Sequence, residues 1–200
     1  MTTHELPPQS VVLQMLMGSW VAQALGAVAR LGVADHLAQG PKSTAELAKL
    51  VEADAESLGR TLRALASVGI FTAPSPGQWG LTPVGDCLRT EAVGSMRYML
   101  IAETDHAHWA TWGRFPEAVR SGKPQAQSAL GVQPWDYYGA HPEDGAAFSK
   151  AMANISSLAI APLLLSYDFS SVQRIADIGG AYGALLAAIL RTQPAARGIL

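Results

Sequence analysis

The residues best placed to do chemistry stand near the end of the 200-residue sequence, in the run Asp177-Ile178-Gly179-Gly180-Ala181-Tyr182-Gly183. A short apolar strand pattern from Arg174 leads into the acid, and an amphipathic helix pattern over 184–192 follows the glycines. Strand, tight glycine turn and helix form the opening of a nucleotide-binding βαβ unit. Glycines accept positive φ and let a ligand approach the backbone, while the helix N-terminus offers free N–H groups to an anion. A carboxylate at the strand end favours an ammonium over a phosphate, and S-adenosylmethionine carries an ammonium and a carboxylate together. A lone glycine turn is a weak signal, and the same residues also suit a purely structural corner.

A second set of candidates lies upstream. Residues 95–122 read as mainly helical and are rich in Met, Trp and His, with Pro116 opening a new helix that ends at Gly122. A Pro/Gly-rich loop is expected from there to about Gly139, holding Asp136-Tyr137-Tyr138. A long helix is then expected from Pro142 to Ser166, with Pro162 as a possible kink, and a domain boundary near Ser170-Ser171. His106 and His108, two residues apart, point to different sides of a helix and make a poor metal pair, so no metal site is expected. Trp109, Trp112 and Met152 by residue type alone suit core packing.

The elements that must position these residues begin with residues 11–31. Val11, Val12, Leu13, Met15, Leu16, Met17, Trp20, Val21, Leu25 and Val28 cover nearly every face of that helix, which therefore needs burial all round. Two readings satisfy this: packing against a second copy of the chain, or a central core helix of one subunit. Ser43 and Glu46 form a capping box for a short helix to about Val51, and Asp54 caps another whose stripe is Leu58, Leu62, Leu65 and Ala66. Gly69 is placed to end it, residues 70–72 and 79–81 read as a hairpin, and Thr82-Pro83 opens a further helix. Helices followed by a hairpin form a winged-helix unit. The would-be wing, residues 70–81, holds no Lys or Arg, so DNA binding is disfavoured against a structural, dimer-forming role.

Composition sets the outer bounds. The length suits one to two domains. Hydrophobic residues are 49% and charged residues 15%, which excludes disorder and leaves apolar surface for a partner. A net charge of -2 gives no drive toward nucleic acid or anionic membrane. The single cysteine, Cys87, and a start (MTTHELPPQS) without a leader pattern point to the cytoplasm. The longest apolar run, Leu158–Leu165, is too short to span a bilayer, so no membrane partner is expected.

Several stretches together carry a resemblance: LGVADHLAQGPKSTAELA, LGRTLRALASVGIF, LTPVGDCLR, WGRFPEAVRSGKP, PWDYYGAHPEDGAAFSKAM and IADIGGAYGALLAAIL. Over its whole length the chain resembles the first 200 residues of S-adenosylmethionine-dependent small-molecule O-methyltransferases of the caffeic-acid/hydroxyindole type, in particular the bacterial natural-product branch. The resemblance implies a mainly α winged-helix dimerisation domain over 1–95 and a helical linker and acceptor-pocket region over 96–170. The first βα unit of an α/β Rossmann-like methyltransferase domain follows over 171–200. It implies methyl transfer to a hydroxyl of an aromatic small molecule, in a homodimer formed through the N-terminal helices. The alternatives are a non-catalytic dimerising module of the same fold and, less favoured, a winged-helix regulator.

Carried over by position, Asp177, Gly179, Gly180, Ala181 and Gly183 match the cofactor motif, with Met152 and Ser156 beside them. Glu103, His106, Trp109, Trp112, Phe148 and Met152 match acceptor-pocket positions. Two departures stand out. Ala181 replaces a usual glycine, which costs about 1 kcal/mol or more if that site needs positive φ. The family's ribose-binding acid and general-base histidine are expected past Leu200, and none of the histidines at 4, 36, 106, 108 and 141 matches that base. No catalytic residue is therefore carried over, and residues 1–200 alone are expected to be inactive.

Overall fold

A computed structural model describes residues 6–200; His4 and the first half of the segment read for a leader lie outside the described residues. Contacts divide the chain after Thr90. In the first unit, α1 (Pro8–Leu31) starts with proline in its first turn and stops at Gly32, which sits left-handed at φ 69°. After α2 (Val33–Leu37), the two-residue strand β1 (Lys42–Ser43) runs into α3 (Thr44–Leu50). The expected capping box is present: the Glu46 N–H donates to Ser43 Oγ at 3.2 Å, and the Glu46 carboxylate accepts the Ser43 N–H at 2.7 Å. Helix α4 (Ala55–Ser67) is capped by Asp54, packs on α1 and α3, and buries Leu58, Leu62 and Leu65 in a core that also holds the buried Val28 and Leu47.

The hairpin β2 (Phe71–Thr72) and β3 (Gln78–Leu81) pairs with β1 in the order β1-β3-β2, with Lys42 opposite Trp79 and Phe71 opposite Leu81. This is a winged-helix unit. Strand β1 escaped the sequence reading because two residues carry no alternation to detect. Trp79 Nε1 donates to Thr44 Oγ1 at 2.7 Å and ties the wing to α3. The four-residue α5 (Pro83–Asp86) is capped by Thr82, whose hydroxyl also reaches the Gly69 and Ile70 carbonyls. A Cβ at Gly85 would run into the Ile70 carbonyl, so only glycine lets α5 lie this close to the hairpin.

The central-core reading of the first helix does not hold. Only Gly26, Val28 and Ala29 of α1 are buried, while Val12, Leu13, Met15, Leu16 and Trp20 are exposed, Trp20 by 62%. Among the described residues, none buries them.

The second unit holds α6 (Arg97–Glu103), α7 (His106–Trp112), α8 (Phe115–Ser121), α9 (Ala126–Leu130), α10 (Pro134–Ala140) and α11 (Pro142–Ser166). Strand β4 (Arg174–Ala176), α12 (Ala184–Thr192) and β5 (Arg197–Ile199) follow in the same unit. The expected loop to Gly139 in fact contains α9 and α10. There Gly131 ends a helix left-handed at φ 76° and Pro134 starts one, so the breakers punctuate short helices. Helix α11 continues through Pro162 to Ser166. It packs on α6, where Asn154 Nδ2 donates to the Ser95 carbonyl at 2.7 Å, and on α12. Strands β4 and β5 are parallel, with Ile175 opposite Gly198, and a Cβ at Gly198 would press into Leu186 and Leu190 of α12.

By length and composition α1 and α11 are long and apolar enough to cross a membrane, which the count of unbroken apolar residues did not reveal. Each is nonetheless engaged in protein packing at one or more points, α1 through Val28 and Ala29 and α11 through Ala151 and Asn154.

Both α3 and α4 close with the same six-to-one bond, Ala53 N–H to Ala48 O and Ile70 N–H to Leu65 O. The left-handed residue is Gly69 after α4 but Glu52, at φ 52°, after α3. A side chain in that region costs about 1–2 kcal/mol, partly offset in the unfolded chain. Glu52→Gly is therefore expected to raise the melting temperature by a few degrees and Gly69→Ala to lower it, read by circular dichroism. Gly85→Ala should lower it further, since its methyl group must displace backbone.

Candidate functional site

The glycine corner is built by backbone geometry. The Asp177 N–H donates to the Ile199 carbonyl at 2.9 Å, which ends the β4–β5 pairing and turns the chain out of the sheet. Gly179 and Gly183 take φ of 76° and 69°, and between them Ala181 takes 48°. This settles the backbone question raised by the alanine: the site does use positive φ there, and Ala181 bears the strain. A Cβ at Gly180 would strike the Asp177 carboxylate, so glycine at 180 is what allows that carboxylate to fold back into the corner. Gly183 caps α12 and donates its N–H to the Gly180 carbonyl at 2.7 Å, which aims the first N–H groups of α12 toward the turn.

Around this corner lies a cleft of about 210 Å³. Its lining joins Asp177, Gly179, Gly180 and Ala181 to Met152 and Ser156 of α11. Gly183 shapes the cleft as the helix cap without lining it. Ala153, Tyr182, Ala184 and Leu185 also line it. These four carried no chemical signal in the sequence and enter through their neighbours.

A second cavity of about 360 Å³ is walled by aromatic rings. Trp112 and Phe148 of the expected acceptor set line it, together with Trp135 and Tyr138 of α10. Phe148 is the hub: Tyr138 stacks on it at 5.0 Å, Trp135 meets it edge-on at 6.0 Å, and the His108 ring lies at 6.1 Å. Glu103, His106 and Trp109 do not line this cavity, and Met152 faces the glycine cleft instead. His106 lies near Tyr137, with ring centroids 6.5 Å apart. The histidine on the wall is His108, on the opposite side of α7 as two-residue spacing requires. The signals for the missed residues were present: Asp105 stands three before His108 as a helix cap, and Trp135 and Tyr138 lie three apart behind Pro134.

Three polar groups face one another at the edge of this cavity. Asp105 Oδ1 accepts the His108 backbone N–H at 2.9 Å and lies 3.3 Å from Nδ1 of the same residue. Glu103 Oε1 lies 3.7 Å from His108 Nε2. The hydrogen bond that Asp105 accepts from the ring holds His108 above the usual imidazole value against the opposing effect of burial, with Glu103 adding to it. Burial first, then the charges of Asp105, Asp144 and Glu103, push the Tyr138 hydroxyl up to about 12. Among the described residues, no group of three or more His, Cys, Asp or Glu is arranged to hold a metal ion.

Comparison with known proteins agrees with this division. Residues 13–91 match the O-methyltransferase dimerisation domain and residues 112–200 the O-methyltransferase domain. A phenazine O-methyltransferase of Lysobacter antibioticus is 40% identical over 195 residues, which is 98% of this chain and 57% of that protein. The crystal structure of LaPhzM superimposes with a TM-score of 0.93 at 39% identity, covering 98% of this chain and 58% of that one. NcsB1, from neocarzinostatin biosynthesis, was solved with S-adenosylmethionine and 2-hydroxy-5-methyl naphthoic acid. It matches with a TM-score of 0.72 at 31% identity, over 88% of this chain and 55% of its own. The chain thus spans a little over half the length of these relatives. With its winged-helix unit matching the dimerisation domain and its glycine corner falling in the other match, the chain belongs to the O-methyltransferase family.

Proposed function

We propose that this chain supplies the dimerisation domain, the donor corner and one wall of the acceptor pocket of an S-adenosylmethionine-dependent O-methyltransferase, whose acceptor is an aromatic small molecule bearing a hydroxyl. The observation that carries the reading is the face of α11. Phe148 lines the aromatic cavity, and Met152 and Ser156, one and two turns further on, line the glycine cleft. One turn is about 6 Å of helix rise, so a flat guest and a donor in the two cavities would adjoin along a single rigid element. Methyl transfer needs such an in-line approach, and positioning accounts for much of its acceleration.

The corner fits the donor's methionine end. The bare backbone at Gly179 and Gly180 gives a cradle that a Cβ would fill, Asp177 offers its carboxylate to the ammonium, and the α12 N-terminus offers N–H groups to the carboxylate. When bound, the donor supplies an electrophilic methyl group on a sulfonium. The chain's own part is to hold that group against Met152 and to exclude water with the aromatic wall.

The exposed apolar face of α1 fits a second copy of the chain, which would make the active protein a homodimer. The match to a dimerisation domain supports this reading. The wing's lack of Lys and Arg supports a role apart from nucleic acid. The single cysteine, at position 87, fits a reducing compartment such as the cytoplasm, and the likeness to a phenazine O-methyltransferase and to a protein of neocarzinostatin biosynthesis supports a non-membrane enzyme of secondary metabolism. We assign 1–95 to dimerisation, 96–170 to linker and acceptor pocket, and 171–200 to the start of the Rossmann-like domain. General-base catalysis by the family's own histidine is assigned outside these residues.

Calorimetric titration with S-adenosylmethionine tests the corner. Gly180→Ala is expected to lose binding about tenfold or more, and Asp177→Asn about tenfold, the worth of one charged hydrogen bond. Ala181→Gly should bind at least as tightly as the parent, by relief of strain. Unchanged affinity in both Gly180→Ala and Asp177→Asn would refute the donor site. For the interface, Leu16→Glu with Trp20→Glu should convert a dimer to a monomer in sedimentation velocity; a parent chain already monomeric would count against the homodimer.

A further inference from the structure

We propose that the aromatic cavity selects its guest by charge: it takes a flat, uncharged hydroxylated aromatic and turns away one that carries a carboxylate. The inference deepens the reading of that cavity as the acceptor site and rests on it.

The charged groups around the cavity are acidic. Asp105, 4% exposed, is fixed as the cap of α7, and Glu103 ends α6. Asp144, in the first turn of α11, accepts the Tyr137 hydroxyl at 3.2 Å. None of the three lines the cavity, so each acts on a guest through the wall, by charge and not by contact.

A charged His108 does not cancel them. Its Nδ1 lies 3.3 Å from Asp105 and its Nε2 3.7 Å from Glu103, so both ring nitrogens are taken up by carboxylates. Two carboxylates around one imidazolium leave a negative charge over, and Asp144 adds another. The basic residues of α6 and α11 are engaged elsewhere. Lys150 donates to the Tyr98 hydroxyl at 3.2 Å and lies 4.6 Å from the centre of that ring, and Arg97 lies 5.9 Å from it. The positive ends of α7 and α11 are answered by Asp105 and by Glu143 with Asp144.

The wall contains its own test charge. Tyr138 lines the cavity and stacks on Phe148 at 5.0 Å. Burial, then Asp105, Asp144 and Glu103, disfavour its phenolate, and what disfavours an anion on Tyr138 disfavours one on a guest beside it. His108, on the same wall, is biased toward its cationic form, the opposite response that one negative field produces.

The lining offers an anion little in return. Among the described residues that line the cavity there is no Lys or Arg, and the Thr111 hydroxyl donates to the Ala107 carbonyl at 2.8 Å. Rings and aliphatic groups make up most of the remaining wall, which suits a flat neutral guest. A carboxylate would give up its water there without gaining a counter-ion. An unpaired, desolvated charge is how a site rejects a ligand whose shape would fit. The reacting hydroxyl is the part least affected, since in the arrangement proposed above it is turned toward Met152 and the donor cleft.

The test needs no methyl donor. The protein as its gene encodes it is titrated by calorimetry with 6-hydroxy-2-naphthamide and with 6-hydroxy-2-naphthoate, near-isosteres that differ in charge. At about pH 6 the acid is ionised and both hydroxyls keep their protons. The amide is expected to bind about tenfold or more tightly than the carboxylate. Glu103→Gln, Asp144→Asn and the two combined should narrow that gap, about threefold or more in the double variant, by raising carboxylate affinity. Amide affinity should stay within about threefold. Equal affinities in the parent, or a tighter carboxylate, overturn the charge selection, as does a gap that all three variants leave unchanged. In those cases weaker amide binding by Trp112→Ala keeps the acceptor-site reading standing alone. A parent that binds neither probe overturns both.

Discussion

The Asp177 carboxylate and a side chain at position 180 cannot occupy the same space. That exclusion organises the end of the chain. Glycine at 180 lets the carboxylate fold back into the turn and leaves a concave backbone where a β-carbon would otherwise project. The positive φ values at 179, 181 and 183 follow from the same turn, which must reverse out of β4 and start α12 within a few residues. Ala181 tolerates this at an energetic cost. Strained backbone of this kind is retained where neighbouring structure over-determines it, and here the β4–β5 pairing and the cap of α12 do so.

From that corner the architecture extends through α11. One helix lines two cavities of different build, one formed around the backbone of the glycine turn, the other walled by aromatic rings. The helix is fixed between α6 and α12 by packing and by the Asn154 bond to Ser95, so residues one turn apart keep their separation. The aromatic cavity owes its shape to Phe148, on which a tyrosine, a tryptophan and a histidine ring converge. Its electrostatics are set at the rim, where Asp105, Glu103 and Asp144 surround groups that would otherwise titrate differently.

The low charge content has a structural counterpart. With 15% charged residues, the chain has too few to cover both long helices, and α1 and the outer part of α11 present leucine, isoleucine, methionine and tryptophan to the outside. Exposed apolar surface of that extent is uncommon on a monomeric protein and fits the proposed pairing of two chains. The winged-helix unit is correspondingly built as a platform: its own core is closed by α4, and its wing is held by Trp79 on Thr44 and is not basic.

Much of this was written locally. Ser43 with Glu46, Asp54, Gly69 and Thr82-Pro83 announced helix ends by capping chemistry that acts within four residues, and the structure places those ends accordingly. The strand, glycine turn and helix after Arg174 were equally legible, because the 3.6-residue period and the glycines act over the same short range. Prolines and glycines between 122 and 139 misled, since the same residues end helices and fill loops, and only packing of α9 on α7 distinguishes the two. Which histidine faces the aromatic cavity, which expected residues fall outside it, and that Met152 belongs to the cleft were decided by tertiary structure alone. A sequence fixes the angle between residues along one helix, but not the direction in which that helix is turned toward its neighbours.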